Sequence, residues 1–479
     1  MNNSALFTDF YSLTMAQGYW KRNRNERAVF EMFFRHQPFD GGYAIFAGLG
    51  TFLDRLKNFS FSDNDIAWLK DQVIFEDAFL DYLKTFHFNG SLWAMDEGTV
   101  IFPQEPLIRV EGSLIECQMI EGMLLNIINF QSLIATKTRR IWLASRKGKV
   151  MEFGMRRAQG PDGALSASRA AYIGGVAGTS NTLAGKKFGI PVMGTMAHAW
   201  VMSFDSEEEA FDSYAALYPD KTVLLIDTYD TLKSGILNAV KTGKKLAQQG
   251  RNFGVRLDSG DIQYLSTEVR RLLDEAGLNK AFITVSNDLD EHIIETLVKD
   301  GAPVDTWGVG TRMVTGGQAS AFTGVYKLAA LLEDNKTTPV MKLSDNPEKT
   351  TNPGVKQVWR VWDQKGEAVA DVLSIDDGTD DPKTGMHYSF WHPSADYRHF
   401  SHIIEGAEPL LKKIIDGGIP VCDPPSLAEI QAFAAANLER FDSTYKRLLN
   451  PHVYKVSITK KLRNLKLELI QKHLGSKVD

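Results

Sequence analysis

From residue 149 onward the chain repeats one pattern, and that pattern constrains its fold more than any other feature. A short apolar run ends in a small or polar residue, and a helical stretch follows. The runs are 149–153, 190–195, 222–227, 253–258, 281–286 and 305–308, with 326–330 as a last candidate. Helical periodicity at 166–173, 179–188, 230–249, 263–276 and 289–299 separates them. Strands spaced by roughly 30 residues with helices between them are βα units. Such units build a parallel sheet with helices outside, either open or closed into a barrel. The expected class is α/β, with an irregular TIM-like α/β barrel at its centre.

The flanks read differently. Residues 1–145 mix helical stretches (11–20, 44–59, 61–69 and 116–143) with extended ones (27–35 and 91–110), which predicts an α+β domain. Residues 146–335 are the barrel. Residues 336–479 form a smaller C-terminal region: a turn at 345–347, an antiparallel pair at 357–362 and 367–373, and a charged helical stretch over 426–473. A chain of 479 residues exceeds what one core supports, so several domains are expected.

Composition excludes some functions. The net charge of −5 argues against nucleic-acid binding by bulk electrostatics, although a local basic pocket for phosphates remains compatible with it. Two cysteines, Cys117 and Cys422, cannot build a disulfide framework, which fits a reducing compartment. The longest apolar stretch, 123–135, is interrupted by Asn126, Asn129, Gln131 and Ser132 and is too short to span a bilayer. With no basic patch and apolar run at residues 1–10, a cytoplasmic location without a membrane partner is the expectation.

In parallel α/β folds, ligands bind at the carboxyl ends of the strands. The residues there are Phe153 with Arg156, Thr195 with His198, Asp227, Arg256 with Asp258, Ser286 with Asp288, and Gly308 with Gly310. This set suits an anionic, hydroxylated, metal-chelating ligand. In GVGTR (residues 308–312) the glycines let backbone N–H groups approach a phosphate, ahead of Thr311; an ordinary tight turn uses the same residues. Ser180 in GVAGTSN opens a helix and is an anion site or a cap. Arg256 and Asp258 share one face of a strand, as a ligand pair or a structural ion pair. Asp261 reads as a helix cap. His198 is a hydrogen-bonded structural residue or a nucleophile that carries a phosphoryl group from ATP. No second His or Cys stands near it at metal-ligand spacing.

Together these segments resemble the nicotinate phosphoribosyltransferase family. The resemblance rests on TDFYSLTMAQGYW (8–20), FEMFFR with GGYAIFAGLG (30–50), EFGMRRAQ (152–159), GTSN, GTMAHAWV, VRLDSGD, VSNDLDE, GVGTR and KLSDNPEKTTNPGVKQVWR (342–360). It covers roughly the first three quarters of the chain; the last helical stretch carries little signature. The resemblance implies an enzyme that makes nicotinate mononucleotide and pyrophosphate from nicotinate and 5-phosphoribosyl-1-pyrophosphate, in NAD biosynthesis. ATP hydrolysis is coupled through a phosphohistidine, matched here by His198, with Mg²⁺ as cofactor. It also implies a homodimer with shared sites, in which Tyr11 of the neighbouring subunit and Phe153 stack on the nicotinate ring. Arg256 matches a substrate-binding arginine and Arg156 a phosphate-binding one, while Asp258 matches a ribose or Mg²⁺ ligand. Thr179, Ser180, Ser286, Asp288, Gly308, Gly310 and Thr311 complete the substrate-binding set.

A nicotinamide phosphoribosyltransferase shares the fold and the histidine, so the barrel motifs alone do not separate the two; the wording of TDFYSLTMAQGYW and GTMAHAWV favours nicotinate. Quinolinate phosphoribosyltransferase is shorter, does not use ATP and would need a denser basic cluster. A non-catalytic phosphosugar-binding barrel is the alternative from another class. The complete set of Arg156, His198, Arg256 and Asp258 weighs against it.

Overall fold

The structure is a computed structural model that describes residues 4–333, 336–346 and 349–475. The chain falls into two compact units, Ile134–Ser320 and a second built from Met1–Leu133 with Ala321–Asp479. The first and last of the three sequence segments therefore share one unit.

The unit Ile134–Ser320 holds the expected parallel sheet. Its strands lie in the order Gly178–Thr179, Lys149–Glu152, Thr306–Val309, Phe282–Ser286, Gly254–Leu257, Val223–Leu225. Every pairing is parallel, so all carboxyl ends share one edge. A single parallel bridge from Thr179 to Val192 is all the regular pairing of the run expected at 190–195. The sheet's two ends are that bridge and Val223–Leu225. Near-continuous apolar strands, such as the fully buried Thr306–Val309, reflect a sheet covered on both faces.

Side-chain caps start the intervening helices where the strands end. Asn181 caps Thr182–Phe188, Asp261 caps Ile262–Glu275 and Asp290 caps Glu291–Lys299, each accepting a backbone N–H. Such caps stabilise a helix by about 1 kcal/mol each. Asp261 is the cap that its sequence position predicts. Inside the unit, buried Glu291 pairs with Lys137 at 2.5 Å and Arg140 at 2.9 Å, fixing helix Glu291–Lys299 against Glu121–Ala144.

The other unit carries two large, mostly antiparallel sheets, besides the short pair Ala44–Ile45 with Val100–Ile101. One joins Arg27–Phe34, Ile108–Ser113 and Ser91–Ala94 with Gly324–Glu333, Lys336–Pro339, Lys412–Asp416 and Ile419–Pro420. The run at 326–330 belongs here and not to the parallel sheet: Gly324–Glu333 pairs antiparallel with Arg27–Phe34. An apolar run has the same period in either setting, so its sequence does not reveal its partner. The second sheet contains the expected pair, Lys356–Trp362 against Ala368–Ile375, plus Lys455–Ile458 and three further strands. The helical stretch expected at 426–473 is thus two helices, Leu427–Glu439 and Lys460–Gly475, with a strand between them. The turn expected at 345–347 includes Pro347, which lies outside the described residues. Arg360 anchors this second sheet: fully buried, it donates to both carboxylate oxygens of Asp371 at 2.8 and 2.6 Å.

Among the described residues, no helix is long and apolar enough to cross a membrane.

Candidate active site

The carboxyl edge of the parallel sheet gathers most of the expected residues into one run of direct contacts. Phe153 directly follows the strand Lys149–Glu152, and its N–H donates to Val309 O at 2.8 Å. The Phe153 ring lies against Gly308: a Cβ placed there would sit 2.7 Å from ring atoms Cδ2 and Cε2 and 3.1 Å from Ser286 Cβ. Glycine at 308 is therefore required by close approach. Ser286, paired in register with Gly308, donates its hydroxyl to Asp258 Oδ1 at 2.5 Å. Asp258 Oδ1 in turn lies 4.0 Å from Arg256 Nη2.

Arg256 reaches from its strand to the segment that precedes His198. Its Nη1 donates to Thr195 Oγ1 and, at 3.1 Å, to Met196 O. Its Nε is buried without a hydrogen-bond partner, so one donor of the fork is uncommitted. Burial pulls the Arg256 guanidinium below its ordinary value and the Arg156 charge adds to this, while Asp258 and Asp227 oppose it. The mutual influence of Arg156 and Arg256 places two cations at this edge. Arg156 itself stands exposed in the short turn Met155–Arg157.

Asp227 organises the rest. It is almost fully buried and follows Val223–Leu225 by two residues. Its Oδ1 lies 3.3 Å from His198 Nε2, and its Oδ2 accepts from Asp258 N at 3.0 Å and Ser259 Oγ at 2.6 Å. One carboxylate thus ties the histidine to the Arg256–Asp258 turn. His198 opens the helix His198–Met202 with its side chain 40% exposed, accessible to a ligand. With the Nε2 hydrogen directed at Asp227, the lone pair is on Nδ1.

The remaining residues are placed less directly. Gly310 occupies the N-cap position of the short helix Thr311–Val314, where an added Cβ would lie 3.1 Å from Phe153 O, and Thr311 is partly exposed. Asp288 is exposed in the turn after Ser286, its N–H held by Asn287 Oδ1. Ser180 is partly exposed, and its N–H donates to Glu152 O at 2.9 Å. Thr179 is fully buried, with its hydroxyl on the Glu152 carboxylate. Tyr11 lies in the other unit, 48% exposed on the helix Phe10–Lys21. Burial, Glu121 and Asp9 raise its phenol to about 12, so it is neutral at physiological pH.

Comparison with known proteins matches this arrangement to one family over nearly the whole chain. Residues 6–129 match the nicotinate phosphoribosyltransferase (NAPRTase) N-terminal domain, 148–376 the nicotinate phosphoribosyltransferase (NAPRTase) family and 355–466 the nicotinate phosphoribosyltransferase C-terminal domain. The chain is 41% identical over 471 residues to the nicotinate phosphoribosyltransferase of Bacillus subtilis, spanning 97% of this chain and 95% of that one.

The chain belongs to the nicotinate phosphoribosyltransferase family.

A solved structure agrees with that membership. The crystal structure of human nicotinic acid phosphoribosyltransferase superposes with a TM-score of 0.85 at 30% identity, covering 96% of this chain and 99% of the human one. A nicotinate-nucleotide pyrophosphorylase from Pyrococcus furiosus shares the fold, with a TM-score of 0.68 at 23% identity. Within this candidate site, sequence reasoning placed Asp227 at a strand end but gave it no task. It gave none to Thr195 or to Glu152. An acidic residue at the end of the apolar run 222–227 was the available signal for Asp227, and Asp258 ends the run 253–258 in the same way.

Proposed function

We propose that this enzyme joins nicotinate to the phosphoribosyl group of 5-phosphoribosyl-1-pyrophosphate, with ATP hydrolysis coupled through His198, in NAD salvage. The observation that carries this reading is the unbroken run of contacts from Phe153 through Gly308, Ser286, Asp258 and Asp227 to His198. An aromatic face, cations, a carboxylate and a nucleophile are thereby arranged around one strand edge.

The chemistry needs little proton transfer. The pyridine nitrogen forms a bond to C1′ of the sugar with its ring lone pair, while the bond from C1′ to the pyrophosphate oxygen breaks. The site's task is electrostatic. Arg256 binds an anionic group of the substrates, and Arg156 binds phosphate. Asp258 stabilises the ribosyl cation or holds the ribose. Phe153 supplies one face for the ring. The Gly308–Thr311 turn and the Ser286–Asp288 turn hold the 5-phosphate and the ribose. His198 Nδ1 attacks the γ-phosphorus of ATP, forming the N–P bond as the bond to the departing ADP oxygen breaks, and the phosphoryl group places negative charge beside the pyrophosphate region and alters its affinity for substrate.

Among the described residues there is no group of three or more His, Cys, Asp and Glu side chains able to hold a metal by themselves. Asp258, about one-third exposed and with one oxygen taken by Ser286, instead suits a Mg²⁺ ion that arrives on substrate phosphates and retains several waters. Such an ion would neutralise charge on the departing pyrophosphate.

We further infer that the parallel sheet curls into an irregular barrel. Arg256, next to one sheet edge, bonds to Thr195 and Met196 just beyond the Val192 bridge at the other. A homodimer in which Tyr11 of a neighbouring copy completes the base site accords with the exposure of that side chain.

Steady-state nucleotide formation tests the reading. With 5-phosphoribosyl-1-pyrophosphate present, nicotinate should be turned over and nicotinamide barely used, and ATP should enhance the rate. Preferential use of nicotinamide would overturn the substrate assignment, and use of neither would leave only a phosphosugar-binding protein.

A further inference from the structure

We infer that Glu152 is a positioning residue that sets the base-binding half of the site through the turn it anchors. This rests on the reading that Phe153 stacks on nicotinate.

Glu152 is the last residue of the strand Lys149–Glu152 and is fully buried. Three neutral donors hold its carboxylate. Oε1 accepts the Gly154 N–H, while Oε2 accepts the hydroxyls of Ser168, at 2.9 Å, and of Thr179. Its backbone carbonyl accepts the Ser180 N–H at 2.9 Å. Thr179 Oγ1 then accepts the Asn181 N–H at 2.9 Å, and Asn181 Nδ2 donates to Ser168 Oγ at 3.2 Å. Asn181 also caps the helix Thr182–Phe188.

One side chain therefore joins three elements: the Phe153–Gly154 turn, the GTSN segment and the helix Gly160–Gly174. Taking a carboxylate out of water is costly unless hydrogen bonds replace its hydration. Here the replacement bonds converge on the backbone beside Phe153, and no catalytic step requires this carboxylate. Its bonds fix the distance between the Phe153 ring and Ser180. That ring cannot sink toward the sheet, because Gly308 and Ser286 lie beneath it. The hydrogen bonds of Arg256, Asp258 and His198 do not involve Glu152. Glu152 thus governs the aromatic half of the site and reaches the phosphoribosyl half chiefly through Arg156, in the turn that Gly154 opens.

The test compares Michaelis constants for the two substrates across a variant set in the full-length enzyme. Glu152→Ala leaves the Gly154 N–H without its acceptor and the Thr179 hydroxyl with Ser168 Oγ at 3.4 Å, and should raise KM for nicotinate roughly tenfold or more. KM for 5-phosphoribosyl-1-pyrophosphate should rise far less, because Arg256, Asp258 and Ser286 keep their own bonds while Arg156, in the turn that Gly154 opens, is disturbed. Glu152→Gln keeps one acceptor oxygen for Gly154 and can donate to the two hydroxyls, so it should recover most of the loss. If Glu152→Ala does not fold, Thr179→Val and Thr179→Ser probe the other oxygen, and only the serine should preserve nicotinate affinity. Phe153→Ala serves as the reference for base binding. If the wild type does not use nicotinate, or Phe153→Ala leaves its KM unchanged, the underlying reading falls and this inference with it. If Phe153→Ala impairs nicotinate binding while the Glu152 and Thr179 variants do not, or they impair both substrates equally, the inference alone is overturned.

Discussion

Replacing Asp227 by Asn tests how His198 is armed. The wild-type carboxylate meets donors on both oxygens: His198 at 3.3 Å on Oδ1, and Asp258 N at 3.0 Å with Ser259 Oγ at 2.6 Å on Oδ2. An asparagine has one acceptor oxygen, and two donors compete for it on the Oδ2 side. The amide therefore turns its oxygen to Asp258 and Ser259 and its NH₂ to His198. A donor facing Nε2 reverses the imidazole tautomer and moves the hydrogen onto Nδ1, the nitrogen that must attack the phosphoryl group. One charge-assisted hydrogen bond is also lost, worth about 1.5–3 kcal/mol. At about 1.4 kcal/mol per decade, that alone slows histidine phosphorylation by about 10-fold to 100-fold, and the wrong tautomer adds to it. The assay is ATP hydrolysis together with acid-labile labelling of the chain from γ-labelled ATP, with His198→Ala as the zero. Nucleotide formation without ATP should be retained, because the Asp258 turn keeps its acceptor. Wild-type labelling in Asp227→Asn, or an equal loss of the ATP-independent reaction, would refute this reasoning.

Three further outcomes follow from the geometry. Gly308→Ala puts a methyl 2.7 Å from the Phe153 ring, so the ring must shift; overpacking of about 1–3 kcal/mol should appear as a raised nicotinate KM, and unchanged kinetics would contradict the contact. Arg360→Met leaves Asp371 buried and without its cation, with Tyr454 Oη at 3.1 Å and the Glu105 carboxyl, which burial and Asp371 hold well above its ordinary value, as remaining partners. Denaturant unfolding should show a loss of about 3–5 kcal/mol, much of it recovered in Arg360→Met/Asp371→Leu. Lys466 is buried with Nζ donating to Asn352 Oδ1 and Pro393 O, and burial, with Lys356, pulls its ammonium down to about 8. The unfolded chain holds that proton to about pH 10.4, so between these values the unfolded state binds more protons and stability rises with pH. Thermal unfolding of wild type and Lys466→Met from pH 7 to 10 should shift in the wild type's favour above pH 8, and parallel profiles would contradict the burial effect.

What the sequence made legible follows from physical periodicity. Buried parallel strands need continuous apolar runs, so the ends of Lys149–Glu152, Gly254–Leu257, Phe282–Ser286 and Thr306–Val309 were visible, and with them Phe153, Arg256, Asp258, Ser286 and Gly308. Helix caps such as Asp261 were visible for the same local reason. Partner choice was not. Gly324–Glu333 carries an apolar run like its neighbours, yet pairs with a strand nearly 300 residues earlier. Gly178–Thr179 contributes only two residues, too few to show a period. Strands such as His399–Ile403 alternate between exposed and half-buried residues and offer no buried apolar run to mark them. The tasks of Asp227 and Glu152 depend on contacts with residues distant in sequence or on buried networks, which no local pattern announces. Thr179 belongs to the same case: its motif was visible, but the commitment of its hydroxyl to Glu152 was not.

The most direct test of the site itself is a crystal structure of the enzyme with nicotinate mononucleotide and pyrophosphate. The account predicts the pyridine ring against Phe153 at the strand edge, the sugar beside Asp258 and Ser286, and the 5-phosphate at the Gly308–Thr311 turn. A nucleotide bound away from that edge, with Arg256 and Asp258 making no contact to it, would contradict the central claim.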